Sequence, residues 1–287
     1  MLYFLYILGI FIAKVVPLRI CYFFADFVAR FYYMLAREDK KGLAENLKVV
    51  LGENVDERVI KRHALDVFRN FAKYLGDFFK FPRFSREYIS KHIDLVGDSY
   101  LEECRKAGKG VILLSMHLGN WELGGAVIGA LKYPVSAIVL EHENKKINNF
   151  FINQRAINGL RSIPLGFRLK ECFKVLKRNE FLAIAGDKSY TSGGIVVDFF
   201  GRKCVLPMGA AALSLKTGAP IIFCSLTREK GDHFKFAFEK PIYPEFISDD
   251  FNENVKHIMG KCVKHFEKYV RAYPDQWYVF RKLWKRD

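Results

Sequence analysis

The sequence predicts an α/β fold, with a mostly parallel central sheet and helices on its faces. Three observations carry this expectation. Short runs rich in branched and aromatic residues, among them GVILL at 110–114, VSAIVL at 135–140 and FLAIA at 181–185, read as buried strands. The stretches between them have helical spacing, and strands that alternate with helices pair in parallel through crossovers. The 287 residues, 51% of them apolar, suffice for one large domain with a sizeable core.

Taken in order from residue 98, the pattern gives a strand at 110–116, a helix at 121–132, a strand at 135–140 and a helix at 145–158. A short strand at 162–165, a helix at 168–178 and strands at 181–185 and 195–199 follow. The helical stretch MGAAALSLKTG then leads to two strands, PIIFCSLT and HFKFAFEKPIY, and a long helix runs from 251 to 272. No internal repeat or low-complexity segment is visible.

The N-terminus is of a different kind. Met1 to Ala13 carries no charge, but falls short of the ~20 apolar residues needed to cross a bilayer as a helix. Its charges, Lys14 and Arg19, come after the apolar run and not before it, which argues for retention over cleavage as a signal. Beyond Pro17, at about 100° per residue, Arg19, Asp26, Arg30 and Arg37 fall within about 40° of one another, and the rest is largely aromatic. Such a helix suits a membrane interface, aromatic side down. A core helix would show the same amphipathicity. The division expected is therefore a membrane-associated helical segment at 1–37 and a catalytic domain at 38–287, held on the cytoplasmic side by the basic residues. A second amphipathic helix, from Asp56 to Phe81, gathers Arg58, Arg62, Asp66, Arg69, Lys73, Asp77 and Lys80 into about 100° of arc. Packing on the domain core is the favoured reading for it.

A net charge of +15, from 46 basic and 31 acidic residues, favours anionic partners. Neither zinc-finger spacing nor an RNP-type motif is present, so nucleic acid is not expected. The six cysteines are scattered, with no CxxC pair and no metal-ligand spacing, as for core thiols in a reducing compartment. No metal site and no cofactor are expected.

The stretch SMHLGNWELGG at 115–125 carries the chemistry. It follows the GVILL strand, Asn120 is a good N-cap, and a helix starts at Trp121. His117 and Glu122 thus share a strand-to-helix turn, where open α/β sheets place their sites. A histidine can take a proton from a hydroxyl, and a nearby carboxylate can fix its tautomer. Gly119 removes bulk where a substrate backbone or carbonyl must approach.

HLGNWE, Arg155 in INQRAINGL, the segment AIAGDKSYTSGGIVVDFFGRK and the C-terminal PDQWYVFRKLW together resemble the bacterial lipid A late acyltransferases. That family of lauroyl- and myristoyl-transferases also includes mycobacterial phosphatidylinositol mannoside acyltransferases. The resemblance covers nearly the whole chain and implies a glycerolipid-acyltransferase-like fold. It implies His117 and Glu122 as a joint base for an acceptor hydroxyl, with Arg155 and Asp187 binding substrate or supporting the site. Asn120 and Lys188 join the substrate-binding set. The family commonly has Gln or Arg after the aspartate, where this chain has Lys188.

The implied reaction moves a fatty acyl chain from a thioester, on acyl carrier protein or acyl-CoA, to a hydroxyl of a lipid A precursor at the inner membrane. Another glycolipid or phospholipid acceptor, such as a phosphatidylinositol mannoside, is the alternative. From another class, a basic membrane-attached binding protein without chemistry would leave the HLGNWE turn unexplained. No GxSxG, GxxxxGK[ST] or GxGxxG pattern supports an acyl-serine or nucleotide route. Oxyanion donors are expected either from backbone N–H groups at the start of the Trp121 helix or from Arg155.

Overall fold

The computed structural model describes residue 11 and residues 15–80, 86–166, 169–189 and 193–284. Apart from Phe11, the expected bilayer-entering stretch Met1 to Ala13 lies outside the described residues. No helix among the described residues is long and apolar enough to cross a membrane.

From Leu18 onward, the described residues begin with α1 (Leu18–Leu35), α2 (Arg37–Leu51) and α3 (Glu57–Lys80). The α/β body follows as α4 (Arg86–His92), β1 (Ile93–Val96), α5 (Ser99–Lys106), β2 (Val111–Ser115), α6 (Trp121–Ala130), β3 (Val135–Val139), α7 (Lys145–Ile157) and β4 (Leu160–Pro164). It continues with α8 (Leu169–Lys177), β5 (Phe181–Ala185), β6 (Ile195–Phe199), β7 (Arg202–Leu206), α9 (Gly209–Thr217), β8 (Ile221–Lys230), β9 (His233–Phe238) and α10 (Phe251–Ala272).

Seven strands form one sheet in the order β1-β9-β8-β2-β5-β3-β4. Every neighbouring pair is parallel except β8 with β9, a hairpin closed at Gly231 and Asp232. That hairpin is why the sheet is mostly and not wholly parallel. β6 and β7 form a separate antiparallel pair, against which α10 packs. β2, VILLS, is buried along its apolar length because helices cover both faces of the sheet.

The expected strands and helices appear, with ends shifted by a few residues. Five elements were not foreseen: α2, α4, β1 and α5 between residues 37 and 106, and β7 at Arg202–Leu206. β1 is only IDLV, too short for a period to show, and gains its strand character by pairing with β9.

α3 buries Ile60, Ala64, Val67, Phe68, Tyr74 and Phe78. Its charged stripe does not face water throughout, because α1 lies along it. Asp26 of α1 pairs with Arg69, and the Tyr22 hydroxyl donates to Asp77 at 2.5 Å. α1 therefore turns Tyr22 and Asp26 inward together with Cys21 and Ala29, leaves Arg19 and Arg30 exposed, and turns much of its aromatic side outward: Phe23 is 72% exposed and Phe27 66%. Exposed large aromatic side chains are the reverse of what a helix on a globular core usually presents to water.

Candidate active site

His117 and Asp187 meet because β2 and β5 are neighbours in register. Ser115 lies opposite Ala185, and the Gly186 N–H carries the ladder one bond further by donating to the Ser115 carbonyl at 2.9 Å. Two residues past each paired position stand His117 and Asp187. Nδ1 of His117 is 2.7 Å from Asp187 Oδ1, which also accepts from the His117 backbone N–H at 3.0 Å. The other oxygen, Oδ2, accepts from Trp277 Nε1 at 3.1 Å. Asp187 is fully buried. Burial by itself would raise its pKa; the charge and hydrogen bonds of His117, with Lys188, outweigh burial and hold the carboxyl at about 2.

Spacing suggested that Glu122 would hold the imidazole. The structure gives that contact to Asp187. Both oxygens of Glu122 accept from Arg155, from Nε at 2.8 Å and Nη2 at 2.5 Å, and both side chains are buried. The first turn of α6 points Glu122 toward α7, where a bidentate guanidinium satisfies it. Arg155 was expected to meet substrate or support the site; its guanidinium clamps Glu122, and burial opposes a positive pKa shift that Glu122 imposes.

Asn120 caps α6, its Oδ1 accepting from the Leu123 N–H at 3.1 Å, while Nδ2 donates to Asp77 at 2.9 Å. Only 2% of it is exposed, and these two internal bonds hold both ends of its amide. Lys188 Nζ donates to the Tyr278 carbonyl at 2.7 Å, and burial lowers its pKa while Asp187 opposes the shift. Gly119 has φ of +65°, and a Cβ there would collide with the Leu226 carbonyl. Close approach is indeed its role, but by strand β8 and not by substrate.

The C-terminal PDQWYV braces the same turn. The Gly119 N–H donates to the Gln276 carbonyl at 2.9 Å, and the Tyr278 N–H donates to the His117 carbonyl at 2.8 Å. Trp121 stacks on Tyr74 with centroids 4.4 Å apart, and the His117 ring meets Trp121 edge-on.

His117 opens on a cavity of about 410 Å³. Leu113, Ala183 and Ala137, one row across β2, β5 and β3, line it from the sheet, and Gly124, Gly125 and Ile128 line it from α6. Small residues on facing elements leave room for an apolar chain between helix and sheet. Cys224 also lines it, but burial pushes that thiol up to about 12, so it stays protonated at neutral pH. All six cysteines are buried and free. Among the described residues, no group of three His, Cys, Asp or Glu side chains stands close enough to share a metal.

Sequence reasoning missed three contributors: Asp77, Arg228 and the role of Trp277. Asp77 alone left a signal, standing at one edge of the charged arc of its helix. His142, also on the cavity, packs on Phe151 with the rings tilted and their centroids 4.4 Å apart; burial first, then the Arg155 charge, lowers its pKa.

A mostly parallel sheet thus presents a histidine–carboxylate pair at its strand ends, beside a largely apolar cavity. The chain belongs to the bacterial lipid A biosynthesis acyltransferase family, whose description it matches over residues 1–286, and is an acyltransferase. It is similar to the phosphatidylinositol mannoside acyltransferase of Mycolicibacterium smegmatis, with 24% identity over 224 residues, 76% of this chain and 71% of the relative. The phosphatidylinositol mannoside acyltransferase of Mycobacterium tuberculosis H37Rv is likewise 24% identical over 225 residues, 76% of this chain and 69% of that one.

Proposed function

We propose that the protein transfers a fatty acyl chain from a thioester, on acyl carrier protein or CoA, to a hydroxyl of a lipid A precursor, with His117 as general base. The observation that carries this is the 2.7 Å contact of His117 Nδ1 with buried Asp187 at the mouth of an apolar cavity. With its proton on Nδ1, the imidazole offers the Nε2 lone pair to an acceptor hydroxyl. The hydroxyl oxygen attacks the thioester carbonyl carbon as Nε2 takes its proton. Asp187 steadies the imidazolium. The tetrahedral intermediate then collapses, the C–S bond breaks, and the imidazolium returns the proton to the departing thiolate.

General-base assistance contributes roughly 10²- to 10⁴-fold, so positioning and oxyanion stabilisation supply the rest. The N-terminus of α6, at Trp121, brings partial positive charge to the same turn and is the favoured oxyanion donor, since the Arg155 guanidinium is engaged by Glu122. The cavity between α6 and the sheet takes the acyl chain. A net charge of +15 draws an acidic carrier protein, anionic lipid and a phosphorylated glycolipid.

The outward aromatic side of α1 and the apolar residues before it support attachment to the inner membrane, with the catalytic domain in the cytoplasm. A mannosylated phosphatidylinositol acceptor is a second reading, favoured by the two mycobacterial relatives. Purified protein offered acyl carrier protein and CoA thioesters with each glycolipid, and products read by mass spectrometry, separates the two. Absence of acylated product with every pair overturns both.

A further inference from the structure

The mechanism above uses the turn at residues 117–122 but leaves unexplained a buried charged cluster directly behind it. Asp77, on α3, is 8% exposed. It is the shared acceptor for three groups from three other parts of the chain. Tyr22 of α1 donates its hydroxyl to Oδ1 at 2.5 Å, Asn120 donates Nδ2 to Oδ2 at 2.9 Å, and Arg228 of β8 donates Nη2 to Oδ2. The cluster closes on itself, because Arg228 Nη1 also donates to the Tyr22 hydroxyl at 2.8 Å and the guanidinium lies over the Tyr22 and Phe234 rings.

Two routes lead from this cluster to the reacting groups. The first is the cap: Asn120 is held from behind by Asp77 while its Oδ1 terminates α6, so Asp77 fixes the side chain that sets where the helix of Glu122 begins. The second runs through the backbone of Arg228, whose N–H donates to Gln276 Oε1 at 2.9 Å and whose carbonyl accepts from Gln276 Nε2 at 2.8 Å. Gln276 in turn accepts the Gly119 N–H, two residues from His117. One carboxyl group thus ties α1 to the middle of the catalytic turn, at Gly119 and Asn120.

We infer that Asp77 is a positioning residue for acyl transfer, fixing the His117–Glu122 turn through Asn120 and Arg228 and coupling it through Tyr22 to α1, the helix with the outward aromatic side. It touches no reacting atom. Displacement of a catalytic group by about 1 Å costs on the order of 10²-fold in rate, so a buried brace at this distance is felt in turnover. This inference rests on His117 acting as the base.

The test is steady-state kinetics of the full chain on phosphatidylethanolamine–phosphatidylglycerol vesicles, with the thioester and glycolipid that give product, alongside thermal melting. Asp77→Asn, nearly the same shape, is expected to fold, to keep KM for the thioester within about twofold and to lose about 10- to 100-fold in kcat. A purely structural role predicts a lowered melting temperature and native kcat for the folded fraction. Folded Asp77→Asn at native kcat overturns the inference.

If Asp77→Asn does not fold, Tyr22→Phe removes one donor and leaves the ring. It is expected to lower kcat severalfold with unchanged vesicle binding, and native kcat in that variant overturns the inference. His117→Ala is run in parallel. Native transfer by His117→Ala refutes the proposed chemistry itself, whereas an inactive His117→Ala beside a fully active Asp77→Asn refutes only the brace.

Discussion

Arg155 holds both oxygens of Glu122, with Nε at 2.8 Å and Nη2 at 2.5 Å, across 33 positions of chain and from one covering helix to the next. The pair is buried, so its two charges depend on each other. Removing only the cation, in Arg155→Met, strands a carboxylate and is expected to destabilise the fold by about 3–5 kcal/mol in urea unfolding. Glu122→Leu with Arg155→Met exchanges the pair for apolar volume and should recover most of that loss. If activity returns together with stability in the double variant, the pair braces the fold and nothing more; persistent loss assigns it a part in transfer.

Asp187→Asn keeps the shape beside His117 but removes the charge that stabilises the imidazolium. A loss of roughly 10²- to 10⁴-fold in kcat is expected, with KM little changed. The same carboxylate carries a pH signature. Its folded pKa, about 2, lies below the unfolded value near 3.8. Its stabilisation is therefore complete above the unfolded value and lost as pH falls toward the folded one. In full it is worth about 2 kcal/mol, with about half gone by pH 3. Urea unfolding of native and Asp187→Asn protein at pH 7 and pH 3 should show the gap between them narrowing with acid; a gap that widens contradicts the depressed pKa.

What the sequence made legible follows range. Apart from β7, the order of strands and helices from residue 110 onward was readable because each element's periodicity lies within its own residues. Asn120 as a cap was readable for the same reason. The partner of His117 was not, since Asp187 arrives only when β5 pairs beside β2, and no local pattern states which strands neighbour each other. Glu122 was the nearest carboxylate in sequence, and helix geometry turned it toward Arg155 instead. Gly119 was rightly marked for close approach, but the approaching backbone is that of Leu226, more than a hundred residues away. α1 was seen as amphipathic, yet which side faces the protein is set by distant partners: Asp26 pairs with Arg69, Tyr22 bonds Asp77, and Tyr33 meets Phe68.

The cavity predicts chain-length control. Ala183 sits between Leu113 and Ala137 in the row that forms its sheet wall, and all three side chains line the space. Ala183→Leu places a branched side chain where a bound acyl chain would run. Overfilling a packed site costs about 1–3 kcal/mol, so transfer of the longest accepted chain should fall about 5- to 150-fold, while shorter chains lose little. Competition among thioesters of graded length, read by product mass, checks this. An unchanged length profile would mean that the acyl chain lies elsewhere.

α1 gives a membrane-binding prediction that separates hydrophobic from electrostatic attachment. Phe27 and Phe31 lie on its outward side, 66% and 55% exposed. Burying such a ring in the interface is worth about 1.5–3 kcal/mol at most, so replacing both with serine should weaken vesicle partitioning by roughly 10²-fold. The charge of +15 contributes separately, and that part is screened as salt rises. Flotation with phosphatidylglycerol-containing and neutral phosphatidylcholine vesicles, at low and high salt, resolves the two. Phe27→Ser with Phe31→Ser should lower binding to both vesicle types at either salt, whereas salt should lower only the binding to anionic vesicles. Native flotation of the double variant on neutral vesicles would remove α1 from the membrane contact.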